Sequence, residues 1–161
     1  MAAMGTAIPG EGSIYFTGGA SALLFGWRES TIDADLSADP EPKGFFEALP
    51  KLKIQLNANL EIASPSDFIP ELPGWRERSR FIARHGRLDF HHYDFYSQAL
   101  TKILRSYDRD QVDVRGMFAT GLINSLRLRE LFDSIKPQLI RYPKIDPVEF
   151  EERLAKVIGT L

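Results

Sequence analysis

The 161-residue chain contains no cysteine, which excludes disulfides and thiolate metal centres and is compatible with a reducing compartment. No long apolar run occurs. The longest stretch, around residues 22–27, is far too short to cross a bilayer, so no membrane partner is expected. The first thirteen residues lack a basic region followed by an apolar core, so they do not read as a signal peptide, and a cytoplasmic protein is expected. Neither acidic nor basic residues predominate. The formal net charge of −2 gives no global positive field to draw a nucleic acid, although basic residues cluster around Arg76–Arg87 and Arg127–Arg141. No internal repeat or low-complexity tract is evident. What is present, 43% hydrophobic and 26% charged residues, is ordinary globular composition, enough for a substantial core.

The pattern predicts an α/β (α+β) protein: a mixed β-sheet flanked by helices, with a helical C-terminal region. Residues 1–12 read as a flexible, glycine-containing leader, 13–115 as the core and 116–161 as a helical extension packed on it. Ser13–Thr17 has the β-branched and aromatic content of a strand. Gly18-Gly19 ends it, and Ala20–Phe25 forms a short helix closed by Gly26. Thr31–Leu36 is the second strand. Leu49, Leu52 and Leu56 recur at helical spacing, and Pro50 is tolerated there if it occupies the first turn. Asn59–Ala63 is the third strand, and Arg80–Arg84 with Leu88–Tyr93 form a hairpin around His85-Gly86-Arg87.

Helical periodicity begins at Ser97. Leu100, Ile103, Leu104 and Tyr107 form its apolar face, with Gln98, Lys102, Arg105 and Arg109 on the polar side. Further helices are expected from Val112 to Leu122, Leu126 to Leu139 and Pro147 to Ile158. The last is announced by Asp146-Pro147-Val148-Glu149, an N-cap acid followed by proline and glutamate.

The chemistry concentrates at Asp33-Ala34-Asp35. On a strand, residues two apart share a face, so both carboxylates lie together, and like charges held together invite a hard divalent cation. Gly18-Gly19, between a strand and a helix, offers close backbone approach to an anionic phosphate, with Ser21 able to add a hydroxyl. Arg28 and Thr31 stand just before the acids. A phosphate-gripping turn beside a carboxylate pair is what a magnesium-bound triphosphate requires. The plain structural alternative is a tight turn, a salt-bridging Arg28 and a strand threonine.

These residues, Gly18-Gly19-Ala20 and then Gly26-x-Arg28-x-x-Thr31-x-Asp33-x-Asp35, resemble the signature of the nucleotidyltransferase superfamily that includes DNA polymerase beta. The likeness is nearest to minimal and AbiEii-toxin-like nucleotidyltransferases and to bacterial nucleotidyltransferase-like proteins. Ala63-Ser64-Pro65-Ser66-Asp67-Phe68-Ile69-Pro70, Lys102-x-x-Arg105 and Arg109-Asp110-x-x-Asp113-Val114 extend it.

The resemblance implies that Asp33 and Asp35 hold Mg2+ or Mn2+, aided by a third acid. Glu61 is the candidate and Asp89 the runner-up; the family more often has aspartate there. It also implies a nucleoside triphosphate, such as ATP, as donor, with an RNA, protein or small-molecule hydroxyl as acceptor and Lys102 meeting the β/γ phosphates. A toxin–antitoxin setting, with an antitoxin-like protein partner, belongs to the same implication. Gly19, where many active members have serine, lacks a hydroxyl.

Asp110 fits a helix cap, and Asp113 either sits in the positive first turn or orients Lys102 or Arg109. The basic run Arg76, Arg78, Arg80 and Arg84 is the candidate contact for an RNA or protein acceptor. Adjacent His91 and His92 point to opposite faces of a strand and make a poor metal pair; they and His85 read as structural. The leading expectation is therefore a divalent-metal-dependent nucleotidyltransferase. The alternatives are a catalytically weakened relative that binds a nucleotide or a protein partner, and a scaffold with no ligand.

Overall fold

Alternation of side chains along five short strands sets the architecture. In the computed structural model, which describes residues 1–27, 29, 31 and 33–160, β1 (Gly12–Phe16), β2 (Asp33–Ala38), β3 (Asn59–Ile62), β4 (Arg80–His85) and β5 (Leu88–His92) form one mixed sheet. The strand order is β3-β2-β1-β5-β4. β1 runs antiparallel to β2 and parallel to β5; β2 is parallel to β3, and β4–β5 is the expected antiparallel hairpin.

The chain divides into two compact units, residues 1–64 with 79–93 and residues 65–78 with 94–161. The helices after Tyr93 fall together in the second unit.

In the first unit the strands place Ile14, Phe16, Leu36, Leu60, Leu88 and Phe90 on one face, all buried. Helices α1 (Ala2–Ala7) and α3 (Phe45–Leu56) cover that face through Met4, Phe45, Leu49 and Leu52. Each fully buried Leu or Phe contributes roughly 2–3 kcal/mol. The segment expected as a flexible leader is therefore helical and part of the core. Its Gly5 has a packing reason: a Cβ there would stand 2.4 Å from the carbonyl oxygen of His85, and one at Gly86 would stand 2.3 Å from that of Gly5. Only two glycines let the N-terminal helix meet the hairpin turn this closely. Helix α2 (Gly18–Leu24) begins at the glycine pair itself, two residues before the expected start.

The second unit is helical: α4 (Trp75–Arg78), α5 (Phe95–Arg105), α6 (Asp108–Ala119), α7 (Ser125–Ile135) and α8 (Pro147–Gly159), with short 3-10 turns at Pro65–Asp67 and Lys136–Arg141. α5 packs against α6, α7 and α8. Leu100, Ile103, Leu128, Phe132, Phe150 and Leu154 are buried among them.

α5 starts two residues earlier than periodicity suggests because Asp94 caps it, accepting from the Tyr96 and Ser97 amides. Arg78 grips the same carboxylate through two nitrogens at 2.9 and 3.0 Å. α7 stops at Ile135, where Pro137 has no N–H to extend the helix. α8 begins as expected, with the Asp146 carboxylate accepting from Val148 and Glu149. Among the described residues, no helix is long and apolar enough to cross a membrane.

Candidate functional site

The opposite face of the sheet carries the acids. Asp33 and Asp35 alternate with Ala34 and the buried Leu36, so both carboxylates leave the sheet on the face away from the core. Parallel pairing sets Asn59 beside Asp33 and Glu61 beside Asp35, so all four side chains share that face. The Asn59 side-chain amide bridges two of the acids, donating to Asp33 Oδ1 at 3.0 Å and to Glu61 Oε1 at 2.6 Å. Two carboxylates that would otherwise repel are thereby held close by one neutral donor. Sequence reasoning missed Asn59, although its alternation with Glu61 on β3 was the available signal.

Asp89 lies elsewhere. It pairs with Ser13, four residues along β1 from Thr17, whose amide donates to the Asp35 carbonyl. That separation is roughly 13 Å along the strand direction. Asp89 instead sits 3.6 Å from Arg84. Strand register thus favours Glu61 over Asp89 as the acid nearest the pair. Among the described residues, no group of three or more histidines or acids is gathered so as to hold a metal ion.

Gly18 is built for close approach. Its φ is +58°, and a Cβ there would stand 2.7 Å from Asp35 Oδ2. The glycine turn and the second acid therefore adjoin. Gly19 is buried inside the first turn of α2.

Ser21 is buried, and its hydroxyl faces inward, away from the role of phosphate ligand foreseen for it. It donates to the Phe16 carbonyl at 3.1 Å and lies 2.9 Å from His92 Nδ1. Because its single proton goes to the carbonyl, Nδ1 must donate to the hydroxyl. Burial, then the Arg80 charge, push the His92 pKa down to about 4, so the ring is neutral. On the other face, burial lowers His91 while Asp89 opposes the shift; its ring stacks on Tyr15 at 5.0 Å. Thr31 turns its hydroxyl to the Asp33 carbonyl at 2.8 Å, bracing the entry to β2. Arg28 lies outside the described residues.

In the second unit, Lys102 departs from expectation. It is not a solvated lysine on a polar helix side, because α5 is covered nearly all round and Gln98 and Lys102 are buried with Leu100 and Ile103. Its ammonium meets Asp113 at 2.6 Å and Asp110 at 3.2 Å. Arg105 closes the cluster with two bonds to Asp110, at 3.1 and 2.8 Å. Among the described residues, two cations face two anions there.

Burial alone would raise the Asp110 carboxyl. The hydrogen bond from Arg105 and the charges of Lys102 and Arg105 outweigh it and hold the carboxyl below its ordinary range. Asp110 is not the helix cap; α6 starts at Asp108, with Tyr107 before it making no side-chain cap. Asp113 addresses Lys102, while Arg109 is exposed.

Comparison with protein-family models, curated proteins and solved structures finds no match to this chain.

Proposed function

We propose that this chain is a divalent-cation-dependent nucleotidyltransferase with a polymerase-beta-like fold, moving a nucleoside monophosphate from a triphosphate to an RNA, protein or small-molecule hydroxyl. The observation that carries this reading is the shared sheet face on which Asp33, Asp35 and Glu61 project, with Asp35 against the Gly18 turn. Supporting it, β1 and β2 are antiparallel and joined through a helix that opens on glycine, and β3 returns parallel to β2 with its acid in register. That order of elements agrees with the resemblance carried by Gly18-Gly19 and Asp33-x-Asp35.

The donor set suits Mg2+ or Mn2+: carboxylate oxygens only, on a solvent-accessible face. As the acids stand they are not gathered as a metal centre; Asp33, Asp35 and Glu61 are the residues that would hold such an ion once drawn together on their shared face. When bound, it lowers the pKa of an acceptor hydroxyl and stabilises charge on the triphosphate. The rest falls to the chain itself. Asn59 keeps Asp33 and Glu61 near one another against their repulsion, and Gly18 leaves room for Asp35 that any Cβ would take.

A second reading, a nucleotide- or partner-binding relative with weakened catalysis, is favoured by one specific feature. Two groups expected to grip phosphates, the Ser21 hydroxyl and the Lys102 ammonium, are both engaged within the protein. An antitoxin-like partner fits either reading.

Incubation with each α-labelled nucleoside triphosphate, Mg2+ or Mn2+ and a cell extract separates the readings. Label moved to an acceptor by the native chain, but not by Asp33→Ala or Asp35→Ala, supports transfer. Triphosphate binding without transfer under either metal selects the second reading.

A further inference from the structure

The helical unit holds a cavity of about 460 Å³ between the end of α5, α6 and α8. That volume lies within the range of small-molecule sites, roughly 300–1,000 Å³. Its apolar side is Ile103, Val114 and Val157, the first two almost fully buried. Its polar side is cationic, and among the described residues no carboxylate lines it.

Two of the four cations there are already neutralised. Lys102 is held by Asp110 and Asp113, and Arg153 bonds to the Leu104 carbonyl and to Glu149. Arg115 and Lys156 remain, with no carboxylate partner among the described residues. The Ser106 hydroxyl and Gln111 amide border the same space without a side-chain partner there. Surplus positive charge beside an apolar wall is complementary to a molecule that is anionic at one end and apolar at the other.

We infer that this cavity is a binding site for a small amphipathic anion, a carboxylate or phosphate head meeting Arg115 and Lys156 and an apolar body lying on Ile103, Val114 and Val157. The inference goes beyond nucleotidyl transfer: Arg115 and Lys156 belong to the helical unit, whereas Asp33, Asp35 and Glu61 belong to the sheet unit. Ser106 and Gln111 supply neutral donors to the head, and the Lys102 cluster forms a wall that the ligand need not disrupt.

The test is titration of the full chain with octanoate and with octyl phosphate, followed by calorimetry and by backbone amide shifts. Octanol and inorganic phosphate serve as the single-feature controls. Saturable binding of either octyl anion, with shifts confined to the end of α5, α6 and α8, is expected. The tighter of the two identifies the head group. Arg115→Gln with Lys156→Gln should weaken that binding by roughly tenfold, as loss of two exposed charge contacts implies. Both positions are exposed, so the fold should survive; Lys51→Gln, on α3 of the other unit, should leave binding unchanged. The inference is overturned if neither octyl anion binds, if octanol or inorganic phosphate binds as tightly, or if the double substitution has no effect.

Discussion

Replacing Asp113 with asparagine probes the buried charge cluster of the helical unit most sharply. Asp113 has no solvent exposure, and Lys102, 6% exposed, meets it at 2.6 Å. Native Lys102 and Arg105 face Asp110 and Asp113, two cations against two anions; Asp113→Asn leaves one positive charge in excess. Breaking a buried pair costs about 3–5 kcal/mol, and the lower figure applies because Asp110 still lies 3.2 Å from the ammonium. A loss of about 3 kcal/mol corresponds to roughly 6–12 °C in Tm for a chain of this size.

Removing both charges should cost far less. In Lys102→Met with Asp113→Leu, Asp110 keeps its two bonds to Arg105, so a change within about 1 kcal/mol is expected. Urea unfolding followed by far-ultraviolet circular dichroism measures both variants. If Asp113→Asn costs under about 1 kcal/mol, the value of an exposed pair, the cluster is not the buried lock described here.

The same cluster sets an acid limit. Because the folded Asp110 carboxyl lies below its ordinary value of 3.8, its contribution is complete above that pH and is lost as pH falls through the lower, folded value.

Two other perturbations address the sheet. His92 is neutral when folded, with a pKa of about 4 against 6.5 unfolded. Its contribution is therefore full above pH 6.5 and declines between 6.5 and about 4, as only the unfolded chain takes up a proton there. His92→Gln should flatten that part of the stability profile in urea titrations, and an unchanged slope would contradict the burial argument. Gly18→Ala should cost about 1–2 kcal/mol from the positive φ alone. It should also displace the Asp35 carboxylate, so Mn2+ affinity falls further than stability does; intact affinity would show that the turn does not set the position of Asp35.

How much of this was legible in the sequence follows from where the information sits. β1, the hairpin and the start of α8 were readable because alternation, a glycine turn and a capping acid are local signals. The shared side of Asp33 and Asp35 follows from the same two-residue period. The pairing of Lys102 with Asp113 was among the readings the sequence offered, but its burial was not, because only packing of α6 on α5 covers a lysine at a polar helical position. α1 was hidden by Gly5, which looks like a helix breaker until the hairpin turn is seen pressed against it. Alternation puts Asn59 on the same side of β3 as Glu61, but its place beside Asp33 became visible only through the parallel register of β2 and β3.

Manganese binding followed by electron paramagnetic resonance, on the native chain and on Asp35→Asn, Glu61→Gln and Asp89→Asn, is the most direct measurement. Saturable binding should be abolished by the first substitution, weakened by the second and untouched by the third, which lies at the other end of the sheet face. Equal binding by the native chain and Asp35→Asn, or loss only with Asp89→Asn, would contradict the account.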